Sequence, residues 1–193
     1  MVNKITVGVI SLTAILTLSA CSGNVESPQN DVLETSQGTN ESKQGMDHSN
    51  MNHSGSGEVP EGLKVAENPT FPIGSKAIIR ADHMQGMEGA EATIVGAYNT
   101  TVYTVSYTPT DGGDPVTNHK WVVHEELEGV GDEPVQPGTE LKINADHMTG
   151  MEGAIAIIDS AEETTVYMVD YTSTTGETVT NHKWVTESEL SFE

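Results

Sequence analysis

The sequence predicts an all-β protein made of two tandem copies of a small SH3-like barrel, and three observations lead there. Apolar and polar residues alternate at period two through much of residues 71–190, the pattern of half-buried strands. Asp111-Gly112-Gly113-Asp114 and Thr175-Gly176-Glu177 interrupt that alternation as hairpin turns, and no helical period of useful length occurs. The stretch Ala81-Asp82-His83-Met84-Gln85-Gly86-Met87-Glu88-Gly89-Ala90 returns as Ala145-Asp146-His147-Met148-Thr149-Gly150-Met151-Glu152-Gly153-Ala154, 64 positions on (145 − 81) with one residue changed.

The correspondence extends beyond the motif. Gly74 matches Gly138, Thr100-Thr101-Val102-Tyr103 matches Thr164-Thr165-Val166-Tyr167, and Tyr107 matches Tyr171. One residue then drops out of a turn, and Asn118-His119-Lys120-Trp121-Val122 matches Asn181-His182-Lys183-Trp184-Val185 at 63 (181 − 118). A duplicated module implies that any site within it occurs twice.

Residues 1–20 read as an export signal ahead of Cys21. Lys4 supplies the positive start, Ile5 to Leu18 is apolar apart from Gly, Ser and Thr, and Leu18-Ser19-Ala20-Cys21 suits cleavage before a lipidated cysteine. The apolar run falls short of the ~20 residues of a membrane-spanning helix. Cys21 is the chain's one cysteine, so no internal disulfide can form, and lipidation would leave no thiol for catalysis or metal ligation. The expected location is outside the cytoplasm, anchored to the cell membrane by lipid.

Residues 21–62 are rich in Ser, Asn, Gln, Gly and Glu and read as a disordered tether. Within it, Met46-Asp47-His48-Ser49-Asn50-Met51-Asn52-His53 interleaves thioethers and imidazoles where Met has no core to fill. Met46, His48, Met51 and His53 are therefore candidate metal ligands.

The first module spans 71–127 and the second 135–190. In the first, Ala77 and Ile79 mark one strand, Ala90, Ala92 and Ile94 a second, and Tyr103, Val105 and Tyr107 a third. A fourth carries the Asn-His-Lys-Trp-Val block, and a short segment ends in Glu-Leu. So few short strands suit a strongly bent barrel whose closure protects its edges. Each module is expected to stand on its own alternating core, with the motif in the loop between its first two strands.

The balance of 8 Lys+Arg against 29 Asp+Glu gives a formal charge of −21, or −22 once Lys4 leaves with the signal (−21 − 1). Such a surface repels phosphate backbones and attracts cations, which argues against nucleic acid as a partner. A Gly-x-Ser-x-Gly elbow, His-Glu-x-x-His and a phosphate loop are all missing from the sequence, and lipidation would leave no free Cys, so it reads as a non-enzyme.

The motif places an imidazole, two thioethers and a carboxylate within six residues. Thioether with imidazole suits Cu(I), and imidazole with carboxylate suits Cu(II). For His83, Met84, His147 and Met148, ligand and structural roles stand level. For Met87 and Met151 a barrel-end plug is favoured over a ligand. His119 and His182 precede a Trp by two residues, which places them on the Trp face near the rim, as satisfied structural histidines or as ligands with the motif. His124 has no counterpart in the second copy and is set aside.

With Ala81 to Ala90, Thr100 to Tyr107, Asn118 to Val122 and their second copies in view, the chain resembles the YdhK-type family of bacterial lipoproteins, built from tandem copies of a domain of unknown function. The lipobox ending at Cys21 and the Met/His tether match as well. Some members look like surface lipoproteins associated with copper tolerance, and the resemblance implies a copper-binding role. The leading expectation is a surface lipoprotein that sequesters copper ion. Its rival is a tandem interaction module for cell-wall glycan or an envelope protein.

Overall fold

Two very long strands form the spine of the molecule. The computed structural model describes residues 54–192. Its strands are β1 (Lys64–Val65), β2 (Lys76–Ile79), β3 (Glu91–Tyr107), β4 (Val116–Val123), β5 (Glu140–Lys142), β6 (Ile155–Thr172), β7 (Thr178–Thr186) and β8 (Leu190–Ser191). Short 3-10 turns at His124–Glu126 and Glu187–Glu189 follow β4 and β7, and the described residues contain no α-helix. The all-β expectation holds.

The strands expected around Ile94 and around Tyr103 are one continuous strand. β3 has 17 residues, about 55 Å at ~3.3 Å per residue. It pairs antiparallel with the 18-residue β6 from Ala92↔Tyr171 to Tyr107↔Ala156. Through Tyr98–Thr101 the chain meets β6 residue for residue, Tyr98↔Val166 to Thr101↔Glu163. The ladder is thus satisfied where an isolated barrel would have had to bend. Thr100 pairs with Thr164, its own repeat equivalent (164 − 100 = 64), so a pseudo-two-fold axis passes between them. The bulges obey the same symmetry: Val95 and Asp159 are the extra residues, one on each strand.

Antiparallel pairing about that axis sets the first half of β3 beside the second half of β6. Two lobes result. Lobe one joins Ala77, Ile79, Met87 and Ile94 of the first repeat to Tyr167, Val169, Val185 and Leu190 of the second. Lobe two joins Tyr103, Val105, Val122 and Leu127 to Ile143, Met151, Ala156 and Ile158. Each hydrophobic core therefore draws residues from both repeats, which corrects the expectation of self-contained module cores. Within each lobe the chain beyond the 3-10 turn returns to the strand before the motif, as Ile79↔Leu190 and Leu127↔Ile143. A third cluster of Val102, Trp121, Val123, Val166, Met168 and Trp184 draws on strands of both lobes.

The end of the expected tether is tied down. Gly55 N donates to Thr180 O (2.9 Å), and Thr180 N donates to Ser54 Oγ (3.0 Å), so this segment runs along β7. The expected signal, Cys21, Met46, His48, Met51 and His53 lie outside the described residues.

Candidate metal site

His119 owes its position to two irregularities in β4. The register against β3 runs Tyr103↔Val122, Val105↔His119, Tyr107↔Val116, so β4 carries one extra residue on either side of His119. β7 does the same around His182: Tyr167↔Val185, Val169↔His182, Tyr171↔Val179. Bulges bend a strand and re-aim its side chains. The preceding Asn118 and Asn181 sit at φ 51° and 52°, a left-handed conformation that Asn tolerates better than most residues. Asn118 N donates to Ser106 Oγ (3.2 Å) and Asn181 N to Asp170 Oδ1 (2.7 Å), which holds the kink. Simple alternation therefore fails. Trp121 goes to the central cluster while His119 stands edge-on to Tyr107, with ring centroids 6.1 Å apart. The expectation that His and Trp share a face is corrected.

The motif loop turns tightly on Met87 N→Met84 O (3.2 Å) and Ala90 N→Met87 O (3.1 Å), with Gly86 and Gly89 at φ 76° and 80°. That turn drives Met87 into lobe one and Met151 into lobe two, where both are completely buried among apolar side chains. They are core plugs, the role favoured from the sequence. Met84 and Met148 stay half-buried at the edges of the same clusters.

The motif histidines turn inward onto glutamates. His83 Nε2 lies 2.7 Å from Glu189 Oε1, and His147 Nε2 lies 2.8 Å from Glu126 Oε1. Glu189 Oε2 also accepts from Trp121 Nε1 (2.8 Å), Thr186 N (3.0 Å) and Thr186 Oγ1 (3.0 Å). Glu126 accepts from Trp184 Nε1 (3.2 Å) and Val123 N (3.0 Å). Burial alone would push the Glu189 carboxyl up, but the His83 imidazole with these N–H donors holds it down at about 2. Asp82 and Asp146 remain exposed, so the acids of the site are not those of the motif.

Reading from the sequence missed Glu126 and Glu189. Their signal was the Glu-Leu pair ending each repeat, Glu126-Leu127 and Glu189-Leu190, spaced by the same 63 (189 − 126) as the His-Lys-Trp block.

Lobe two brings His119, His147 and Met148 together. The rings of His119 and His147 are 6.3 Å apart, and Tyr107 Oη donates to Met148 Sδ at 3.9 Å. Tyr107 thus touches both the thioether and the His119 ring. His119 Nε2 and His147 Nδ1 are buried without a hydrogen-bond partner, as is His83 Nδ1 in lobe one. Burial, then the neighbouring imidazoles of His147 and His83, lower the His119 pKa to about 4, so it is neutral at physiological pH. In lobe one, His182 stands edge-on to Tyr171 (5.9 Å) as His119 does to Tyr107, and Met84 packs against that core. His124 is structural: Nδ1 pairs with Tyr103 Oη (2.8 Å) and Nε2 with Gly131 O (2.7 Å).

Among the described residues no group of three or more His, Cys, Asp or Glu side chains is arranged to hold a metal ion. The donor set is two imidazoles and a thioether, which fits a soft, low-coordinate ion better than zinc or calcium. A cleft of about 240 Å³ lies beside lobe two, lined by Glu58, Glu61, Glu125, Glu126 and Asp146 with Lys183 among them.

The protein of unknown function family DUF1541 matches this chain twice, over residues 73–124 and 137–187. The uncharacterized protein YdhK of Bacillus subtilis (strain 168) is 52% identical over 191 residues, covering 98% of this chain and 90% of that one. A crystal structure of a DUF1541 family protein (YdhK) from B. subtilis superposes with a TM-score of 0.73 at 61% identity, covering 76% of this chain and 100% of that one. A solution NMR structure of the YdhK C-terminal domain gives 0.61 at 62% identity, covering 64% and 94%. With both repeats matched and the likeness running through nearly the whole chain, this protein belongs to the YdhK/DUF1541 family.

Proposed function

We propose that this protein is a lipoprotein, anchored through Cys21 outside the cytoplasmic membrane, that binds copper without transforming it. Two sites, one in each lobe, would hold the ion: His119, His147 and Met148 in lobe two, and His182, His83 and Met84 in lobe one. The observation that carries this reading is the pair of buried, partnerless nitrogens His119 Nε2 and His147 Nδ1, on rings 6.3 Å apart, with the Met148 thioether linked to the His119 ring through Tyr107. A buried polar atom without a partner costs about 1–3 kcal/mol, and a bound cation would relieve two at once. Cu(I) suits imidazole and thioether together, and Met keeps its lone pairs at any ordinary pH. The acidic cleft beside lobe two favours cations at its mouth. Met46, His48, Met51 and His53 of the tether add weaker sites, because they must be ordered on binding. In this reading each lobe is an SH3-like barrel assembled by exchange between repeats, and a cell-wall or envelope partner is not needed for its action.

Titration of the lipid-free protein with Cu(I), against a competing chromophoric chelator, tests the reading. With residues 46–53 deleted, two tight equivalents should remain. His119→Ala with His147→Ala should remove one, and adding His83→Ala with His182→Ala the other. Failure of the deleted form to bind would place any copper affinity in the tether alone.

A further inference from the structure

We infer that Glu126 and Glu189 are positioning residues that lock His147 and His83 in the tautomer with hydrogen on Nε2, leaving Nδ1 bare for the metal. The inference rests on the proposed function and concerns the same two sites. A carboxylate can only accept, so the imidazole must donate from Nε2 across the 2.7 Å and 2.8 Å contacts. A neutral imidazole has one N–H, and placing it at Nε2 leaves the lone pair at Nδ1. Nδ1 of both residues is buried and without a partner.

Both histidine side chains are 7% exposed, and Glu189 and Glu126 are 13% and 3% exposed, so water offers little competition. The carboxylates are themselves held in place. Trp121, on the strand that carries His119 of lobe two, donates to Glu189 in lobe one. Trp184, on the strand that carries His182 of lobe one, donates to Glu126 in lobe two. Orientation of each motif histidine therefore depends on an indole reaching across from the other lobe. Carboxylates that fix a ligating histidine through its distal nitrogen are worth about 10–100-fold in metal affinity.

The test uses the full chain in detergent with ¹⁵N-labelled imidazoles, metal-free at neutral pH, followed by titration with Ag(I) as a redox-inert stand-in for Cu(I). His83 and His147 should show protonated Nε2 and bare Nδ1. Glu189→Gln should mix the tautomers of His83 alone, and Glu126→Gln those of His147 alone, each weakening silver binding about 10–100-fold in its own lobe. Trp121→Phe and Trp184→Phe keep the carboxylate but remove its anchor, and should shift the same signals less. Should a Gln variant fail to fold, the matching Phe variant reads the same lobe. Wild-type chain that binds silver while His83 and His147 carry hydrogen on Nδ1 would overturn this inference and spare the proposed function. Wild-type chain with the expected tautomer and no uptake of silver would overturn the proposed function while supporting the tautomer assignment.

Discussion

Met148 and Met151 lie on one turn, and the hydrogen bond from Met151 N to Met148 O (3.1 Å) sends their side chains to different places. Met151 is completely buried among Val105, Ile143 and Ile158, whereas Met148 reaches the Tyr107 hydroxyl. Met151→Ala should cost about 2–5 kcal/mol in urea unfolding with chelator present. Copper stoichiometry should not change. Met148→Ala should cost less than about 1 kcal/mol and weaken the lobe-two site. The reverse pattern would make Met148 the packing residue. His119 gives a separate test in the metal-free chain. Its folded pKa of about 4 lies below the ordinary value of 6.5, so between those pH values the unfolded chain binds the extra proton. Stability should be unaffected by this group above about pH 6.5, then fall as pH drops toward 4, by about 3 kcal/mol in all at ~1.4 kcal/mol per unit. His119→Gln should flatten that limb of the curve. Glu189, held at about 2, contributes in the same direction at lower pH: its stabilisation is full above the ordinary carboxylate range and is lost as pH falls toward 2. The sequence exposed the metal-type residues because His and Met stand out against their surroundings. It hid Glu126 and Glu189, because in a chain with 29 acidic residues a carboxylate carries little information by itself.

At the scale of elements, alternation identified the strands and the Gly-rich turns placed the hairpins. Two features escaped it. Paired bulges around His119 and His182 break the period-two rule at the residues that matter most, so faces assigned by counting are wrong there. The fusion of two expected strands into β3 depends on β6 lying alongside, a long-range pairing that no local window contains. The motif loops show a related dependence. Gly150 O accepts from Thr110 N (2.8 Å) and Gly86 O from Thr174 N (2.8 Å), so each loop docks on a hairpin turn of the other repeat. Gly150 has φ +76°, and a Cβ there would meet Asp111 Oδ1 at 2.7 Å and Pro109 Cβ at 2.9 Å. Gly150→Ala should therefore destabilise by roughly 2–3 kcal/mol and loosen silver binding in lobe two while leaving lobe one intact. Gly138→Ala shares the positive φ (+86°) but meets nothing within 4 Å, so only the backbone cost of about 1 kcal/mol should appear. Equal losses in the two variants would show that the hairpin contact contributes nothing.

For the whole molecule, the crossed cores decide what a single repeat can do alone. Residues 135–193 supply Ile143, Met151 and Ile158 to one core and Tyr167, Val169 and Val185 to the other, but complete neither. Yet Thr100 pairs with its own equivalent Thr164, so two copies of one repeat have the register to rebuild the central ladder. The excised fragment should therefore be a homodimer: twice the fragment mass by sedimentation equilibrium, with unfolding that shifts with protein concentration. A concentration-independent, cooperatively melting monomer would show that a repeat can close on itself. With the fragment a homodimer, the covalent link between repeats is the record of a gene fusion. An ancestral two-chain protein, with each site shared across its symmetry axis, would have become one chain, and its halves would since have been free to diverge, as His124 and Glu187 have done at equivalent positions opposite Tyr103 and Tyr167.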